Sequence, residues 1–348
     1  MTRMPKSSPK QARSASSVPA PRPRIGLALG GGGARGLAHI PVLEAFDEMG
    51  LKPDVITGTS IGAIFGAAYA SGLSGREIRA HTSEMLTQRL SLVRELFSAR
   101  AHATSRFLGL LAGRSALLDP AALLDIIMPR RLAPDFESLK IPLKVVATDF
   151  YLQEPYVFSQ GNLRRAVAAS MALPVIFQPV MVDGHALIDG GLANPLPFDL
   201  LRRPDGPGGP GDVDIVVAID VSGAPQRLDN RDHPSAMQAL FASAFIFERT
   251  IVREKLKSLQ PDVFIEGGTS HFQVLDFLKL PEILAAAEPA KARLKQQLAR
   301  VMGSVTLTEQ PLPALTDRRG AGEPPQAPER KRRRRLLPRI AGSGDAEP

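Results

Sequence analysis

The sequence lacks cysteine and tryptophan altogether among its 348 residues, and it has no long apolar run. Without cysteine, disulfide bonds and thiolate metal sites are excluded. No apolar run reaches the roughly 18 residues that suggest a membrane span, and the first residues lack the apolar stretch of a secretory signal peptide. The lack of a membrane span and of a signal peptide predicts a cytoplasmic protein, for which any contact with a membrane would be peripheral. The lack of cysteine leaves the redox compartment undetermined.

The sequence also has no excess of acidic residues, because its formal net charge is +8. The positive charge lies at the two ends of the chain. Residues 1–24 hold six basic and no acidic side chains, and residues 317–348 hold nine basic and five acidic ones. Between them, residues 25–316 are nearly neutral, with 28 basic and 30 acidic side chains. We therefore predict a folded domain over 25–302 between two disordered basic tails, 1–24 and 303–348.

The basic run Arg330 to Arg335, followed by Leu336-Leu337, has the charge to bind an anionic bilayer. Each basic residue near such a surface contributes about 1 kcal/mol. The alternative, that this run belongs to a solvated tail that only keeps the protein soluble, fits the sequence equally well. Nucleic acid is not an expected partner, because no aromatic side chain interleaves with the run. The sequence leaves the oligomeric state open.

Apolar runs and turn residues alternate in the order typical of an α/β fold. Strands are predicted at 25–29, 55–57, 143–148, 156–158, 180–182, 186–188, 215–219 and 263–266. Helices are predicted at 35–49, 63–71, 162–172, 234–259 and 283–302, the last interrupted near Pro289. The first strand–helix–strand unit implies a parallel pairing with a right-handed crossover. The domain is therefore predicted to be a three-layer α/β sandwich with a mainly parallel central sheet.

Two glycine-rich turns follow the first two predicted strands. Gly30 to Gly33 can take backbone angles that a Cβ atom forbids, so that successive N–H groups point into one concavity. The second turn, from Gly58 to Gly62, has the G-x-S-x-G spacing of a nucleophile elbow and exposes Ser60 on a tight bend into a helix. The two turns together offer a nucleophile and hydrogen-bond donors for an oxyanion, which acyl transfer needs.

The glycine run has a competing interpretation. Gly31, Gly33 and Gly36 fit the G-x-G-x-x-G fingerprint of dinucleotide-binding proteins, which expects an acidic residue at the end of the second strand. Asp54 is at a suitable distance but precedes that strand. A phosphate-binding P-loop is excluded, because Leu37-Ala38 follows the last glycine. A dinucleotide-binding oxidoreductase that uses the Gly31–Gly36 loop therefore remains an alternative.

A serine nucleophile also needs a base. Of the six histidines, only His233 and His271 follow a candidate acid in the Ser, Asp, His order of α/β-hydrolases, and both lie in predicted loops. Asp189 ends a predicted strand and precedes Gly190-Gly191, where an aspartate is commonly a turn residue. Asp149 and Asp220 are predicted to be turn or helix-cap residues.

Three motifs in register carry a family resemblance. They are Gly31-Gly32-Gly33-Ala34-Arg35-Gly36, Gly58-Thr59-Ser60-Ile61-Gly62 and Asp189-Gly190-Gly191. In this order and spacing they resemble the patatin-like phospholipases, bacterial type, over about residues 25–200 and more weakly to 302. One departure is Pro41, where the family usually has glycine. A proline there is harmless if the helix begins near His39, because it then lies in the first turn.

The resemblance implies a lipid acyl hydrolase that cleaves fatty-acyl esters of phospholipids, lysophospholipids or related lipids. It assigns Ser60 as the nucleophile, Asp189 as its base in a dyad without histidine, and the amides of Gly31, Gly32 and Gly33 as the oxyanion hole. Supporting roles fall to Arg35, Gly58, Gly62, Gly190 and Gly191. No cofactor and no metal are implied. A non-catalytic regulatory member of the family is a further alternative.

A helical insert is predicted at about residues 73–140, with apolar stretches at Phe107 to Leu111 and Leu117 to Met128. One interpretation is a set of helices packed beside the sheet. The other is a cap that lines an apolar route for an acyl chain to the serine.

Overall fold

The structure is a computed structural model that describes residues 22–88, 118–202, 213–223 and 236–308. Most of the two predicted tails and the apolar stretch Phe107 to Leu111 lie outside these residues. The boundaries of the helical insert, and its role as a cap, therefore remain predictions.

Eight strands and seven α-helices lie in the described ranges. The strands are β1 (Ile25–Leu29), β2 (Val55–Thr59), β3 (Leu143–Asp149), β4 (Glu154–Phe158), β5 (Val180–Val182), β6 (His185–Asp189), β7 (Ile215–Asp220) and β8 (Val263–Glu266). The helices are α1 (His39–Glu48), α2 (Ile61–Ala70), α3 (Gly75–Gln88), α4 (Pro120–Ile127), α5 (Leu163–Ser170), α6 (Ala236–Ser258) and α7 (Leu280–Thr308). Short 3₁₀ helices span Gly33–Ala38, Gly190–Leu192, Phe198–Leu201 and Phe277–Lys279.

The described strands form one sheet in the order β5-β6-β3-β2-β1-β7-β8, with β4 paired to β3. Strands β3, β2, β1, β7 and β8 are mutually parallel, whereas β4 and β6 are antiparallel to β3 and β5 is antiparallel to β6. The central sheet is thus mainly parallel. The predicted fold class is confirmed.

Helices cover both faces of this sheet, and the two faces differ in character. On one face, large side chains of β1 and β7, such as Leu27 and Val217, share a core with residues of α1, α2, α5 and α7. On the other, small residues such as Ala28 and Ala218 pack against Phe198 and against Val252 of α6. These small residues leave room for the 3₁₀ helix Phe198–Leu201 and for Val252 of α6 on the second face.

The sequence predicts three local features that the structure tests: a helix from residue 35, an interruption near Pro289 and a hairpin turn at Asp183-Gly184. Residues 33–38 form a 3₁₀ helix and α1 begins at His39, so the helix predicted from residue 35 divides in two. Pro41 therefore lies in the first turn of α1, where a proline is tolerated. Helix α7 runs through Pro289 without a break, so the predicted interruption near Pro289 is wrong. Asp183 and Gly184 have φ values of 50° and 88°, as the predicted type I′ hairpin turn requires.

Among the described helices, none is both long enough and apolar enough to cross a membrane.

Candidate active site

Ser60 sits in a strained turn between β2 and α2. It has φ 55° and ψ −121°, a conformation rare outside glycine, and it is the N-cap residue of α2. A Cβ atom on Gly58 would stand 2.7 Å from the carbonyl oxygen of Gly62, and one on Gly62 would stand 2.2 Å from the carbonyl oxygen of Leu29. The two flanking glycines are needed because strand, helix and neighbouring strand approach each other to backbone contact.

Asp189 reaches Ser60 because two strands meet end to end beside β3. Strand β4 pairs with one side of β3 over Val145–Asp149. Strand β2 pairs with β3 up to Val146, and β6 pairs with it from Asp149 back to Ala147, so both share the other side. The carboxyl ends of β2 and β6 therefore point at each other. The residue that follows β2 is Ser60, and the last residue of β6 is Asp189.

The two side chains are joined by a hydrogen bond: Ser60 Oγ donates to Asp189 Oδ2 at 2.7 Å. The other carboxylate oxygen, Oδ1, accepts the N–H of Gly191 at 2.8 Å. Asp189 is 4% exposed, and its burial raises the pKa of the carboxyl to about 6, although the bonds from Ser60 and Gly191 act in the opposite direction. Asp189 is therefore mostly ionised at neutral pH, yet a stronger base than an aspartate in water.

A second serine fixes the backbone of the turn. The N–H of Ser60 donates to Ser170 Oγ at 2.8 Å, and Ser170 Oγ donates to the carbonyl oxygen of Val146 at 2.5 Å. Ser170 is fully buried at the end of α5. Its hydroxyl links the turn to β3, so it sets the orientation of the strained residue. Ser170 is not among the residues that the sequence analysis singles out.

The glycine loop lies against the serine. A Cβ atom on Gly31 would be 3.5 Å from Ser60 Cβ. The N–H of Gly31 donates to the carbonyl oxygen of Pro195 at 2.9 Å, so it is already engaged. For the N–H groups of Gly32 and Gly33, no acceptor occurs within the described part of the chain. Gly33 has φ 59°, and a Cβ there would come within 2.4 Å of Val274, which explains why glycine is required.

Two buried side chains hold this loop in place. Arg35 Nε donates to the carbonyl oxygen of Gly32 at 3.3 Å, and its guanidinium lies 5.1 Å from the ring centroid of Phe245. His39 Nε2 donates to the carbonyl oxygen of Gly30 at 2.9 Å. Complete burial lowers the pKa of His39 to about 4, so this imidazole stays neutral. His39 is thus a support of the loop that the sequence did not single out.

The remaining candidates lie elsewhere or have structural roles. Asp54 accepts the N–H of Ile25 at the amino end of β1, so it is at the opposite edge of the sheet from the glycine loop. The acid that the dinucleotide fingerprint expects is therefore not beside the loop. Asp149 and Asp220 each accept backbone N–H groups of the turn that follows them, as predicted. His271 is exposed and packs on Phe272 with ring centroids 4.0 Å apart, and His233 lies outside the described residues.

Asn194 and Lys255 stabilise the turn after the 3₁₀ helix Gly190–Leu192. Lys255 Nζ donates to Asn194 Oδ1 at 2.5 Å and to Asp199 Oδ1 at 2.6 Å. Thr59 Oγ1 donates to the carbonyl oxygen of Asn194 at 2.8 Å, which ties this turn to the end of β2. Within the ranges that the structure describes, no group of three or more His, Asp or Glu side chains is placed to hold a metal ion.

A sequence model of the patatin-like phospholipases matches residues 27–202, which contain the serine turn, the glycine loop and Asp189. The chain belongs to the patatin-like phospholipase family.

Curated relatives of this patatin-like chain include a protein of Mycobacterium tuberculosis named as an uncharacterized NTE family protein. It is 36% identical over 202 residues, which are 58% of this chain and 50% of that protein. Human patatin-like phospholipase domain-containing protein 6 is 35% identical over 201 residues, 57% of this chain and 13% of that protein. The aligned region thus spans half or less of each of these relatives.

Solved structures with a related fold include VipD from Legionella pneumophila, with a TM-score of 0.40 and 16% identity over 81% of this chain and 67% of that chain. Human GIVD cytosolic phospholipase A2 gives a TM-score of 0.39 and 13% identity over 81% of this chain and 60% of that chain.

Proposed function

We propose that this protein is a serine hydrolase that cleaves fatty-acyl esters of phospholipids, lysophospholipids or related lipids through Ser60 and Asp189. The observation that carries the proposal is the 2.7 Å hydrogen bond from Ser60 Oγ to the buried carboxylate of Asp189. The strained backbone of Ser60 at the start of α2 supports it, because strain of this kind concentrates at functional sites. Membership of the family supports a lipid ester as the substrate class.

In the first half of the proposed reaction, Ser60 Oγ attacks the ester carbonyl carbon while its proton moves to Asp189. The carbonyl oxygen becomes an oxyanion in the tetrahedral intermediate. The N–H groups of Gly32 and Gly33 are the candidate donors to it, and the amino end of the α2 dipole adds positive potential at Ser60. One such donor contributes about 3 kcal/mol to the transition state. Gly31 would shape the hole by its lack of a side chain, since its own N–H is engaged.

In the second half, the bond to the leaving alcohol breaks and Asp189 gives its proton to the departing oxygen, which leaves an acyl-enzyme on Ser60. Water then donates a proton to Asp189 and attacks the acyl carbon. When the second tetrahedral intermediate collapses, Ser60 recovers the proton and the fatty acid leaves. One carboxyl group thus acts in turn as base and acid, with no metal or cofactor in any step.

Covalent labelling by a fluorophosphonate probe tests the proposal. We expect the parent to be labelled, Ser60→Ala to be unlabelled, and Asp189→Asn to be labelled far more slowly. Ser71→Ala is the matched control, because Ser71 lies at the other end of α2 and should leave labelling unchanged. A folded parent that resists the probe would contradict the proposal and favour the non-catalytic or dinucleotide-binding alternatives.

We further propose that the basic run Arg330 to Arg335 brings the enzyme to anionic membranes. The run lies outside the described residues, and its charge is the support for this role. The test is flotation of the full chain, and of a chain with these six residues changed to glutamine, on vesicles that contain phosphatidylserine. Equal binding of the two proteins would contradict the proposed membrane role, and loss of binding in the substituted chain would support it.

A further inference from the structure

A second buried carboxyl group lies beside Asp189. Glu248 is on α6, the helix that packs against the 3₁₀ helix Gly190–Leu192, and it is only 3% exposed. A Cβ atom on Gly191 would stand 2.5 Å from Glu248 Oε1 and 3.1 Å from Asp189 Oδ1. The two carboxyl groups thus approach each other over a residue that has no side chain. Gly191 is the residue that makes room for both.

Charged groups from three other elements face Glu248. They are Asp189 at the end of β6, Arg35 in the 3₁₀ helix Gly33–Ala38, and Asp220 at the end of β7. Glu248 Oε2 and Arg35 Nη2 are both buried, and within the described residues neither has a hydrogen-bond partner. A buried carboxylate without hydrogen bonds is costly, whereas a neutral carboxylic acid costs much less. The surroundings therefore favour the protonated form of Glu248.

The protonation of the two groups follows from their surroundings. Burial raises the pKa of Glu248 to about 8, and the charges of Asp189 and Asp220 act in the same direction while Arg35 opposes them. The pKa of Asp189 is raised to about 6. Two carboxyl groups this close titrate as a pair, and between these two values the pair holds one proton. Because Asp189 accepts two hydrogen bonds and Glu248 Oε2 has no partner among the described residues, the surroundings favour that proton on Glu248.

We propose that Glu248 is a positioning residue that holds the single proton of this carboxyl pair at neutral pH, and so leaves Asp189 ionised to accept the proton of Ser60. The proton of Glu248 is not transferred during the reaction. The proton of Ser60 moves to Asp189 and on to the leaving alcohol, while Glu248 stays neutral. The kinetic consequence rests on the proposed function, whereas the sharing of the proton does not.

Ionisation of Glu248 would harm the site in two ways. It would place a second negative charge near the position where the oxyanion forms, which raises the energy of the transition state. It would also attract the guanidinium of Arg35, whose Nε holds the carbonyl oxygen of Gly32 in the glycine loop. The rate is therefore expected to fall as the pH rises above about 8, the pKa of Glu248.

The kinetic test compares Glu248→Gln with Glu254→Gln. Glu254 lies on the same helix but is exposed and paired with Lys257, so its variant is a matched control. With one inactivating ionisation near pH 8, fluorophosphonate labelling of the parent and of Glu254→Gln should slow about tenfold between pH 7 and pH 9. In Glu248→Gln the two rates should agree within about twofold. A tenfold loss in Glu248→Gln would overturn the proposal.

An infrared titration of chain made with isotope-labelled glutamate tests the shared proton without turnover. In the parent, the carbonyl band of a buried protonated glutamate should disappear near pH 8, and in Asp189→Asn it should disappear at lower pH, because the neighbouring charge is gone. A band that titrates identically in both proteins would overturn the inference, even if Glu248→Gln did not fold. A parent that shows the coupled titration but resists the probe would contradict only the proposed function.

Discussion

Strand β6 contacts an aspartate at each end: its first residue, His185, pairs with Asp149 of β3, and its last residue is Asp189. The two aspartates have opposite surroundings. At its start, His185 Nδ1 lies 2.5 Å from Asp149 Oδ2, and Asp149 Oδ1 accepts the N–H groups of Tyr151 and Leu152, both at 2.9 Å. These bonds, with that from Leu152 the largest, lower the pKa of Asp149 against the effect of burial. At its end, Asp189 accepts one backbone N–H and one hydroxyl, and its pKa is raised.

The difference lies in how well each charge is compensated. Asp149 is buried with enough donors to favour the carboxylate, so it stabilises its turn and is a weak base. Asp189 is buried with fewer donors, with Glu248 nearby and with a strained serine as its partner. The less compensated charge of Asp189 lowers the stability of the fold and makes the carboxylate a stronger base. The pKa values of two buried aspartates, the last residues of β3 and of β6, are thus shifted in opposite directions by their surroundings.

The largest expected effect is on reactivity. Asp189→Asn should slow fluorophosphonate labelling about 10³-fold, because a general base contributes on the order of 10²–10⁴-fold. Asp149→Asn should leave the rate within about threefold, because Asp149 contacts no reacting group. Labelling kinetics at pH 7.5 measure both. A comparable loss in the two variants would mean that Asp189 acts only on the fold.

The substitutions Asp189→Asn and Asp149→Asn should change the free energy of unfolding at pH 8 in opposite directions. The pKa of Asp189 is raised from 3.8 to about 6, so the parent loses stability as the pH rises through this window. At about 1.4 kcal/mol per pKa unit, Asp189→Asn should be up to about 3 kcal/mol more stable than the parent at pH 8, with a smaller difference at pH 5. Asp149, with a lowered pKa, contributes stability at high pH that is lost on acidification. Asp149→Asn should therefore be less stable than the parent at pH 8.

Urea denaturation of the three proteins at pH 5 and pH 8 measures these differences. If Asp189→Asn is destabilised at pH 8 by as much as Asp149→Asn, the two aspartates do not differ in how well their charges are compensated. Such a result would show that the bonds from Ser60 and Gly191 compensate the charge of Asp189 fully.

Most of the architecture could be predicted from the sequence because its signals are local. Apolar runs bounded by glycine and proline mark strands such as 25–29 and 263–266, and Asp183-Gly184 marks the hairpin turn. The meeting of β2 and β6 could not be derived in this way. It depends on an antiparallel pairing between residues that are about 40 positions apart, and no local pattern fixes the register. The resemblance, not the pattern, connected Ser60 with Asp189.

Glu248 shows why part of the proposed site could not be predicted from the sequence. Its neighbours Ile246 and Phe247 are each 61% exposed, whereas Glu248 is 3% exposed, so the usual order of burial is reversed on this part of α6. Polarity alone would place Glu248 in solvent. Its burial depends on the missing side chain of Gly191 and on the packing of α6 against the 3₁₀ helix Gly190–Leu192. Both are properties of distant parts of the chain.

The smallest expected effect concerns the strain at Ser60. Glycine adopts φ 55° and ψ −121° readily and alanine does not, so Ser60→Gly should be about 1–2 kcal/mol more stable than Ser60→Ala, although both lack the hydroxyl. Ser71 provides the control, since its φ of −70° and ψ of −9° are helical and alanine should there be the more stable replacement. Urea denaturation of the four variants gives both orders. If alanine were the more stable replacement at both positions, the turn would have to relax once the hydroxyl is removed. The strain would then come from the hydrogen bond between Ser60 and Asp189 and not from the backbone.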